Sequence, residues 1–268
     1  MKIIRFLSEA GKVFYGVPDP GDWKQARIID GNIYERFEVR EKQVKINKLL
    51  PPVPAPNILA LGLNYRSHAD ETNIRYPDTP ILFLKSTNTL IGAGSPIILP
   101  RTGSDHVDYE GELAVIIKRT VKNISVHQAW DAILGYTCGN DISARDWQFE
   151  RQKGQWARGK SFDTFCPLGP FLVTKDEIPD PGRLKVRTLL NGKVMQDSST
   201  ANMIFDVPTI VSNLSQSMTL YPGTVILTGT PEGVGFTRQP PVFLKEGDTI
   251  TVSIERIGEL TNPVEQEI

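Results

Sequence analysis

The segment Asp108-Tyr-Glu110-Gly-Glu112-Leu-Ala-Val-Ile-Ile117 passes from acidic residues directly into an apolar run. A short continuous apolar run next to Gly and polar residues is typical of a buried strand. Side chains two residues apart in a strand point to the same face, so Glu110 and Glu112 should project together. The segment therefore predicts a buried strand with two carboxylates at its start.

Two carboxylates on a partly buried face repel each other unless a cation lies between them. Mg²⁺ and Mn²⁺ favour such oxygen ligands and keep positions open for water or substrate. Asp141 offers a third oxygen, because it follows an apolar strand and Ser143 already fills the N-cap position of a predicted helix. The alternatives are two solvated glutamates at an exposed strand end and an Asp141 that caps the helix.

A candidate base lies in the segment Asn64-Tyr-Arg-Ser-His68-Ala-Asp-Glu71, directly after an apolar strand. One turn of helix would put His68 and Glu71 on the same face, where the carboxylate orients the imidazole and raises its basicity. A water-activating base requires this arrangement. The alternative is a fortuitous pair at the start of a helix. Lys160, next to Gly159, is a candidate donor to a developing enolate or oxyanion.

Composition excludes several classes of protein. Of 268 residues, 30 are Lys or Arg and 31 are Asp or Glu, a balance that argues against binding to nucleic acid or an anionic membrane. The basic residues of segment 145–160, interleaved with tryptophans, fit an anionic substrate or a solvated face better than single-stranded nucleic acid.

No apolar run approaches the roughly 20 residues of a membrane span, and residues 1–10 lack a signal-peptide core. Cys138 and Cys166 form no metal or redox motif, which predicts free thiols and a cytoplasmic location.

The distribution of Pro and Gly predicts an α+β fold in which strands dominate, since 20 Pro and 22 Gly interrupt short apolar runs. Residues 1–50 should form a small β-rich N-terminal module, 51–56 (Pro-Pro-Val-Pro-Ala-Pro) an extended linker, and 57–268 the catalytic domain. Asn191-Gly192 predicts a type I′ hairpin, and helices are expected at about 143–152 and 209–217. The predicted strands are 2–7, 12–17, 26–29, 33–39, 57–61, 81–84, 96–99, 112–117, 133–137, 171–173, 184–190, 193–196, 225–228 and 249–254.

One further segment, Gly229-Thr-Pro-Glu-Gly233-Val-Gly235, superficially resembles a phosphate-binding loop. It lacks the Gly-Lys-Ser/Thr of a P-loop and the helix and acidic residue of a dinucleotide fold. A tight turn at a strand end is the better interpretation, and nucleotide binding is not expected.

Six motifs, in order over roughly residues 57–260, together resemble the fumarylacetoacetate hydrolase superfamily. They are Asn64-Tyr65-Arg-Ser-His68-Ala-Asp-Glu71, Ile81-Leu-Phe-Leu-Lys85-Ser, Asp108-Tyr-Glu110-Gly-Glu112-Leu, Gly139-Asn-Asp141-Ile-Ser-Ala-Arg145-Asp146-Trp-Gln148, Gly159-Lys160-Ser-Phe and Ile226-Leu-Thr-Gly-Thr230-Pro-Glu-Gly-Val-Gly235. Asn64 stands where the longer enzymes of the family have an additional Asp ligand. The chain is thus more similar to the short branch that acts on acylpyruvates, oxaloacetate and 2-hydroxy-dienedioates.

The resemblance implies mixed sheets around one Mg²⁺ or Mn²⁺ per chain, and a homodimer. It implies that the metal ligands are Glu110, Glu112 and Asp141. It implies that the catalytic residues are His68, Glu71 and Lys160, and that the His68–Glu71 dyad lies on a lid. The residues that it implies hold a small anionic 2-oxo acid are Arg145, Gln148 and Thr230.

The reaction expected first is hydrolysis of a C–C bond in a small 2,4-dioxo acid such as an acylpyruvate, through an enolate stabilised by the metal. The same site could decarboxylate oxaloacetate, or act as an isomerase or tautomerase on a 2-hydroxy-dienedioate. An inactive homologue that only binds a small molecule is the alternative outside the enzymes.

Overall fold

The structure, a computed structural model, describes residues 1–19, 21, 23–102 and 104–268. Its strands are β1 (Lys2–Ser8), β2 (Val13–Pro18), β3 (Gln25–Gly31), β4 (Phe37–Leu50), β5 (Ile58–Gly62), β6 (Ile81–Lys85), β7 (Leu90–Ile91), β8 (Ile97–Leu99), β9 (Val107–Asp108), β10 (Gly111–Ile117), β11 (Ile133–Asn140), β12 (Ser143–Ala144), β13 (Cys166–Thr174), β14 (Lys185–Leu190), β15 (Lys193–Ser199), β16 (Val225–Leu227), β17 (Thr249–Ile254) and β18 (Gly258–Gln266). Its α-helices are α1 (Arg66–Glu71), α2 (Val126–Ala132), α3 (Trp156–Gly159) and α4 (Val207–Ser217). The predicted β-dominated α+β class is confirmed.

The largest sheet has the strand order β2-β3-β4-β1-β13-β11-β10-β16-β5-β6, with β7 paired to β13. Every residue of β10 is buried, as its apolar run predicted. Leu113 and Val115 face one hydrophobic cluster, and Ala114 and Ile116 face another on the opposite side of the sheet. The strand that begins with the two glutamates is therefore covered on both faces.

Helices α2 and α4 cover one face of this sheet. Asp206 accepts a hydrogen bond from the backbone N–H of Thr209 and so caps α4. Ile210 and Leu214 of α4 lie in the same hydrophobic cluster as Leu113 and Val115 of β10. The predicted helix at 209–217 is thus present and begins two residues earlier.

A second sheet has the order β15-β14-β17-β18-β8. Asn191 and Gly192, with φ of 52° and 79°, form the turn between β14 and β15, and Leu190 pairs with Lys193. The predicted hairpin is confirmed. Two side chains of this hairpin reach the start of β10, because Thr188 and Gln196 are buried and lie against Gly111.

Two long strands of the structure, β4 and β18, depart from the prediction. The strand expected at 33–39 begins only at Phe37, because the N–H of Asn32 closes a turn onto the carbonyl of Arg36, and it then continues to Leu50. Strand β18 was not predicted. Pro263 interrupts the alternation of apolar and polar residues that would indicate a strand. Asn262 interrupts it too, since this polar residue is buried and its amide donates to the carbonyls of Gly92 and Ser95.

The helix predicted to begin at Ser143 is wrong at its start. Ser143 lies in β12, paired with Asp108 of β9, and its hydroxyl donates to the carbonyl of Asp141. The helical segment that follows includes a π-helix, Trp147–Arg151, preceded by Asp146 as N-cap. The Ser143 hydroxyl is buried and bonds to the carbonyl of Asp141, so it does not cap a helix.

The N-terminal strands join the large sheet through β1, where Lys2 and Ile3 pair with Val173 and Leu172 of β13. Residues 51–56 form neither helix nor strand, and Val53 within them is fully buried. The division into a module, a linker and a catalytic domain stays a prediction. Within the described ranges, no helix has both the length and the apolar character needed to cross a membrane.

Candidate metal centre and active site

Glu110, Glu112 and Asp141 lie together, with one carboxylate oxygen of each within 4.8 Å of the others, and all three are buried. Glu112 is in β10, Glu110 directly precedes that strand, and Asp141 follows β11. Antiparallel pairing of Gly111 with Asn140 brings the two strand ends side by side. The N–H of Asp141 then donates to the carbonyl of Glu110 at 2.9 Å.

Three cations neutralise part of this cluster. Lys160 Nζ lies 2.9 Å from Glu110 Oε2 and 2.7 Å from Asp141 Oδ2, and Lys85 Nζ lies 2.5 Å from Asp141 Oδ1. Arg145 Nη1 lies 2.6 Å from Glu110 Oε1. Burial alone would raise the pKa of Glu110, but Lys160 and Arg145 together hold it below its usual range.

Glu112 is in a different position. Its Oε2 accepts the N–H of Gly229 at 2.7 Å, but its buried Oε1 has no hydrogen-bond partner among the described residues. Burial, together with repulsion from Asp141 and Glu110, raises the pKa of Glu112 well above its usual range. A buried carboxylate oxygen without a partner costs free energy unless a proton or a cation meets it. Three carboxylates with one such oxygen fit a hard divalent cation.

Lys160 has a more restricted role than expected from the sequence. Its three N–H bonds are directed at Glu110 Oε2, Asp141 Oδ2 and the Ser143 hydroxyl at 2.7 Å. Only 2% of its side chain is exposed. In this arrangement Lys160 orients two of the candidate ligands, and a role as donor to an enolate would require it to exchange one of these partners.

His68 and Glu71 form the expected pair on α1. His68 Nδ1 lies 2.7 Å from Glu71 Oε1, so Nε2 is the ring nitrogen available to the cavity. Glu71 is itself held in place, because Oε2 accepts the N–H of Gly233 at 3.0 Å and the Thr237 hydroxyl at 3.0 Å. The imidazole orientation is therefore fixed by a carboxylate that has two further donors.

The turn between Gly229 and Phe236 supplies donors to three buried or half-buried carboxylates. In addition to the bonds from Gly229 to Glu112 and from Gly233 to Glu71, the N–H groups of Gly235 and Phe236 donate to Asp108 at 2.7 and 3.1 Å. Gly229 and Gly233 have φ of 95° and 93°, a region that favours glycine.

A cavity that opens to solvent joins several of the predicted residues. Its lining includes the predicted base, one candidate ligand, the buried lysine and the three predicted substrate-binding residues: His68, Glu110, Lys160, Arg145, Gln148 and Thr230. The side-chain Oε1 of Gln148 accepts a hydrogen bond from Arg145 Nη1 at 2.9 Å. Arg145 Nη2 lies 2.8 Å from Asp108 Oδ2, but its N–H bonds are not aligned with any acceptor among the described residues.

Sequence reasoning missed several residues that build this site. One of them is Lys85, which lies two residues after Phe83 on the buried face of β6, where a lysine is unusual. Asp108 has the same two-residue spacing as Glu110 and Glu112, and it accepts Arg145 Nε at 2.9 Å. Asn64 lies outside the carboxylate cluster, since its amide bridges Phe205 and Thr228. The sequence could have indicated only two of these residues: Asp108, by its two-residue spacing from Glu110, and Lys85, by its position on the buried face at the end of a predicted strand.

Comparison with known proteins identifies the family of this chain. The family model described as "Fumarylacetoacetate (FAA) hydrolase C-terminal" matches residues 57–265. "Fumarylacetoacetate hydrolase domain-containing protein 2 homolog" of Dictyostelium discoideum is 44% identical over 250 residues, 90% of this chain and 81% of that protein. "Oxaloacetate tautomerase FAHD2A, mitochondrial" of Homo sapiens is 46% identical over 216 residues, 80% of this chain and 68% of the human protein.

Solved structures give the same result. The crystal structure of 2-hydroxyhepta-2,4-diene-1,7-dioate isomerase from Mycobacterium marinum is 40% identical, with a TM-score of 0.85 over 100% of this chain and 99% of that one. A fumarylacetoacetate hydrolase from Exiguobacterium antarcticum is 36% identical, with a TM-score of 0.86 over the whole of both chains. The resemblance carried by the six motifs is confirmed, and the chain belongs to the fumarylacetoacetate hydrolase family and is an enzyme of that superfamily.

Proposed function

We propose that this enzyme is a Mg²⁺- or Mn²⁺-dependent isomerase that interconverts the keto and enol forms of a small anionic 2-oxo acid. The observation that carries the proposal is the fixed His68–Glu71 pair, whose imidazole lines the same cavity as Glu110 and Arg145. The tautomerase and isomerase names of the relatives support this alternative better than the C–C hydrolysis that the sequence led us to expect first.

Glu110, Glu112 and Asp141 would hold the metal, which, when bound, supplies a Lewis acid next to the 2-oxo group. The buried cluster of Asp108 and these three carboxylates contains four negative charges. Lys85, Lys160 and Arg145 contribute three positive ones. A dication would make the sum positive by one, and this balance favours an anionic substrate.

The substrate carboxylate would be held by Arg145. Its Nη2 is buried and has no aligned acceptor among the described residues, so a carboxylate in the cavity would complete its hydrogen bonding. Asp108 and Phe236 keep the guanidinium in place, since the arginine Cζ lies 4.4 Å from the centre of the Phe236 ring. Thr230, whose hydroxyl accepts a hydrogen bond from Gln196 at 2.8 Å, also lines the cavity.

Proton transfer would be carried out by His68. Its Nε2 would take a proton from the carbon next to the 2-oxo group and deliver it to the oxo oxygen to give the enol, and would move the proton back in the reverse direction. Glu71 would stabilise the imidazolium that forms, because its carboxylate lies 2.7 Å from Nδ1. The same pair could instead remove a proton from water, which makes hydrolysis of an acylpyruvate the second candidate. The hydrolase from Exiguobacterium antarcticum supports it.

The test is to remove metal with a chelator, restore Mg²⁺ or Mn²⁺, and follow the ultraviolet absorbance of enol oxaloacetate. We expect metal-dependent acceleration of ketonisation that is absent in Glu112→Gln. Pyruvate released from acetylpyruvate is measured in parallel. Release of pyruvate without faster ketonisation would favour the hydrolase, and loss of CO₂ from oxaloacetate would favour the decarboxylase.

Other expectations stay predictions. The homodimer, the choice between the two metals and the cytoplasmic location rest on the resemblance and on composition. The human relative is named as a mitochondrial protein. Light scattering of the purified protein would test the dimer.

A further inference from the structure

The cavity has two kinds of lining. Polar side chains, among them Glu110, Arg145 and His68, are the ones that the proposed reaction uses. The others include Ile74, Phe83, Phe149 and Trp156, which we call the apolar lining. The proposed proton transfer gives the apolar lining no role.

Trp156 and Phe83 build the part of the apolar lining next to the charged cluster, since Lys160 Nζ lies 5.0 Å from the centre of the Phe83 ring. Their rings meet edge to face, with centroids 5.8 Å apart and planes at 74°. The Trp156 ring also lies directly on the backbone of Gly62. A Cβ at position 62 would be 2.9 Å from Cη2 of the indole and still closer to Cζ3. The absence of a side chain at Gly62 therefore allows the indole to lie where it does.

Phe149 and Ile74 build the outer part. Phe149 is 45% exposed and Ile74 is 47% exposed, although both are large apolar residues. Phe149 packs against Phe236, with ring centroids 5.6 Å apart, and Phe236 in turn covers the guanidinium of Arg145. Exposed apolar side chains gathered at the mouth of a cavity gain free energy when a ligand removes them from water.

The charges of the lining distinguish between ligands. Among the described residues that line the cavity, the lysines and arginines are Arg145 and Lys160, and both are paired with carboxylates of the buried cluster. Lys160 lies over the Phe83 ring, but its three N–H bonds are directed at Glu110, Asp141 and Ser143. A second carboxylate against the apolar lining would therefore lose hydration without meeting a free donor. A four-carbon diacid such as oxaloacetate could keep both carboxylates near the polar side chains and would leave the apolar lining without a ligand group.

We propose that Phe83, Phe149 and Trp156 form a specificity pocket for an apolar or aromatic substituent, so that the preferred substrate is a 2-oxo acid with one carboxylate near the metal ligands and an uncharged group against these three rings. The proposal rests on the proposed function for the position of the 2-oxo acid head. It adds the chemical class of the remainder of the substrate.

The first experiment measures binding to the Mn²⁺-loaded enzyme by calorimetry. Phenylglyoxylate and pyruvate share the 2-oxo acid head and differ in a phenyl for a methyl group. We expect phenylglyoxylate to bind about tenfold tighter or more. A second pair, 2-oxopentanoate and 2-oxoglutarate, has equal chain length and differs in the terminal carboxylate, and the monoacid should bind tighter. Equal affinities within both pairs would overturn the proposal.

Variants assign the preference to the pocket. In Phe149→Ala and Trp156→Ala the ratio of the phenylglyoxylate and pyruvate affinities should fall to near one. Phe149 is half exposed, so its replacement tests the proposal even if Trp156→Ala does not fold. Tyr221→Ala removes an equally exposed aromatic residue, 49% accessible, that is not part of the cavity lining, and should keep the ratio. A ratio unchanged in Phe149→Ala would contradict the assignment.

Phenylglyoxylate cannot enolise, because it has no hydrogen on a saturated carbon next to the oxo group. Its binding therefore tests the pocket without requiring turnover. Selective binding of phenylglyoxylate, without faster ketonisation of oxaloacetate or phenylpyruvate, would contradict the proposed reaction and leave the pocket assignment intact. Faster ketonisation of both substrates, without any preference in binding, would support the proposed reaction and contradict the pocket assignment.

Discussion

The backbone N–H of Gly229 donates a 2.7 Å hydrogen bond to Oε2 of Glu112, a residue 117 positions earlier in the chain. The neighbouring N–H groups of the same turn donate to Glu71 and to Asp108. Like a phosphate-binding loop, this turn directs several backbone N–H groups at anions. The anions are the protein's own carboxylates, and the turn fixes both a candidate metal ligand and the partner of the candidate base.

Replacement of Glu112 by Gln should weaken Mn²⁺ binding by about 100-fold or more, since the variant loses a charged oxygen ligand. Calorimetric titration of the chelator-treated protein measures this directly. Glu265→Gln, which changes an exposed carboxylate on β18, is the matched control and should bind Mn²⁺ as the unmodified protein does. Equal affinity in the two variants would mean that Glu112 is not a ligand.

Replacement of His68 by Gln should reduce the metal-dependent turnover by about 100-fold or more without changing Mn²⁺ affinity, because the proton-transfer group is lost and the carboxylate cluster is not. Glu71→Gln should cost less, since an amide can still accept from Nδ1 but does not stabilise an imidazolium. Steady-state kinetics with oxaloacetate distinguishes the two. His127→Gln, on the exposed side of α2, serves as control, and a turnover that survives in His68→Gln would exclude the dyad.

Replacement of Lys85 by Met should lower the free energy of unfolding by about 3–5 kcal/mol, because Asp141 would lose a fully buried ion-pair partner. Urea denaturation in the presence of chelator measures the change. Lys42→Met, in the exposed part of β4, should remain within about 0.5 kcal/mol of the unmodified protein. A similar stability for both variants would show that Lys85 does not stabilise the cluster.

Replacement of Gly229 by Ala should lower stability by about 1–3 kcal/mol and also weaken Mn²⁺ binding. The new Cβ would lie 2.8 Å from Cβ of Asn64, at a φ of 95°, and relief of this contact would move the N–H away from Glu112. Gly247→Ala is a sharp control, because Gly247 has a φ of 87° and nothing within 4 Å of its Cβ position. Gly247→Ala should lose only the stability that the strained φ costs, and its Mn²⁺ affinity should be unchanged.

The parts of the site that could be predicted are those set by local spacing. Glu110 and Glu112 follow the two-residue period of a strand, and His68 and Glu71 follow the three-residue spacing of a helix turn. Both pairs lie together in the structure. Asp141 is also in the cluster, although the capping argument that favoured it was wrong, because Ser143 bonds to Lys160 and caps nothing.

The parts that could not be predicted depend on contacts between distant segments. Lys85 meets Asp141 across 56 positions, and Gln196 reaches Thr230 and Gly111 from a different sheet. Strand β18 has Pro263 and a buried Asn262 in its interior, and its pairing with β17 and β8 stabilises it against its own local preference. Such partners are determined by topology, which local patterns do not contain.

The bonds from Gly233 and Thr237 to Glu71 span 162 and 166 positions, which has a consequence for biosynthesis. A chain that emerges from the ribosome has already exposed Glu71, Asp108 and Glu112 long before the turn that donates to them is translated. Until then these carboxylates must remain hydrated, since their burial without donors is costly. We therefore expect the catalytic cavity to close only late in translation, and a chain arrested before Gly229 to remain open and sensitive to protease along β10.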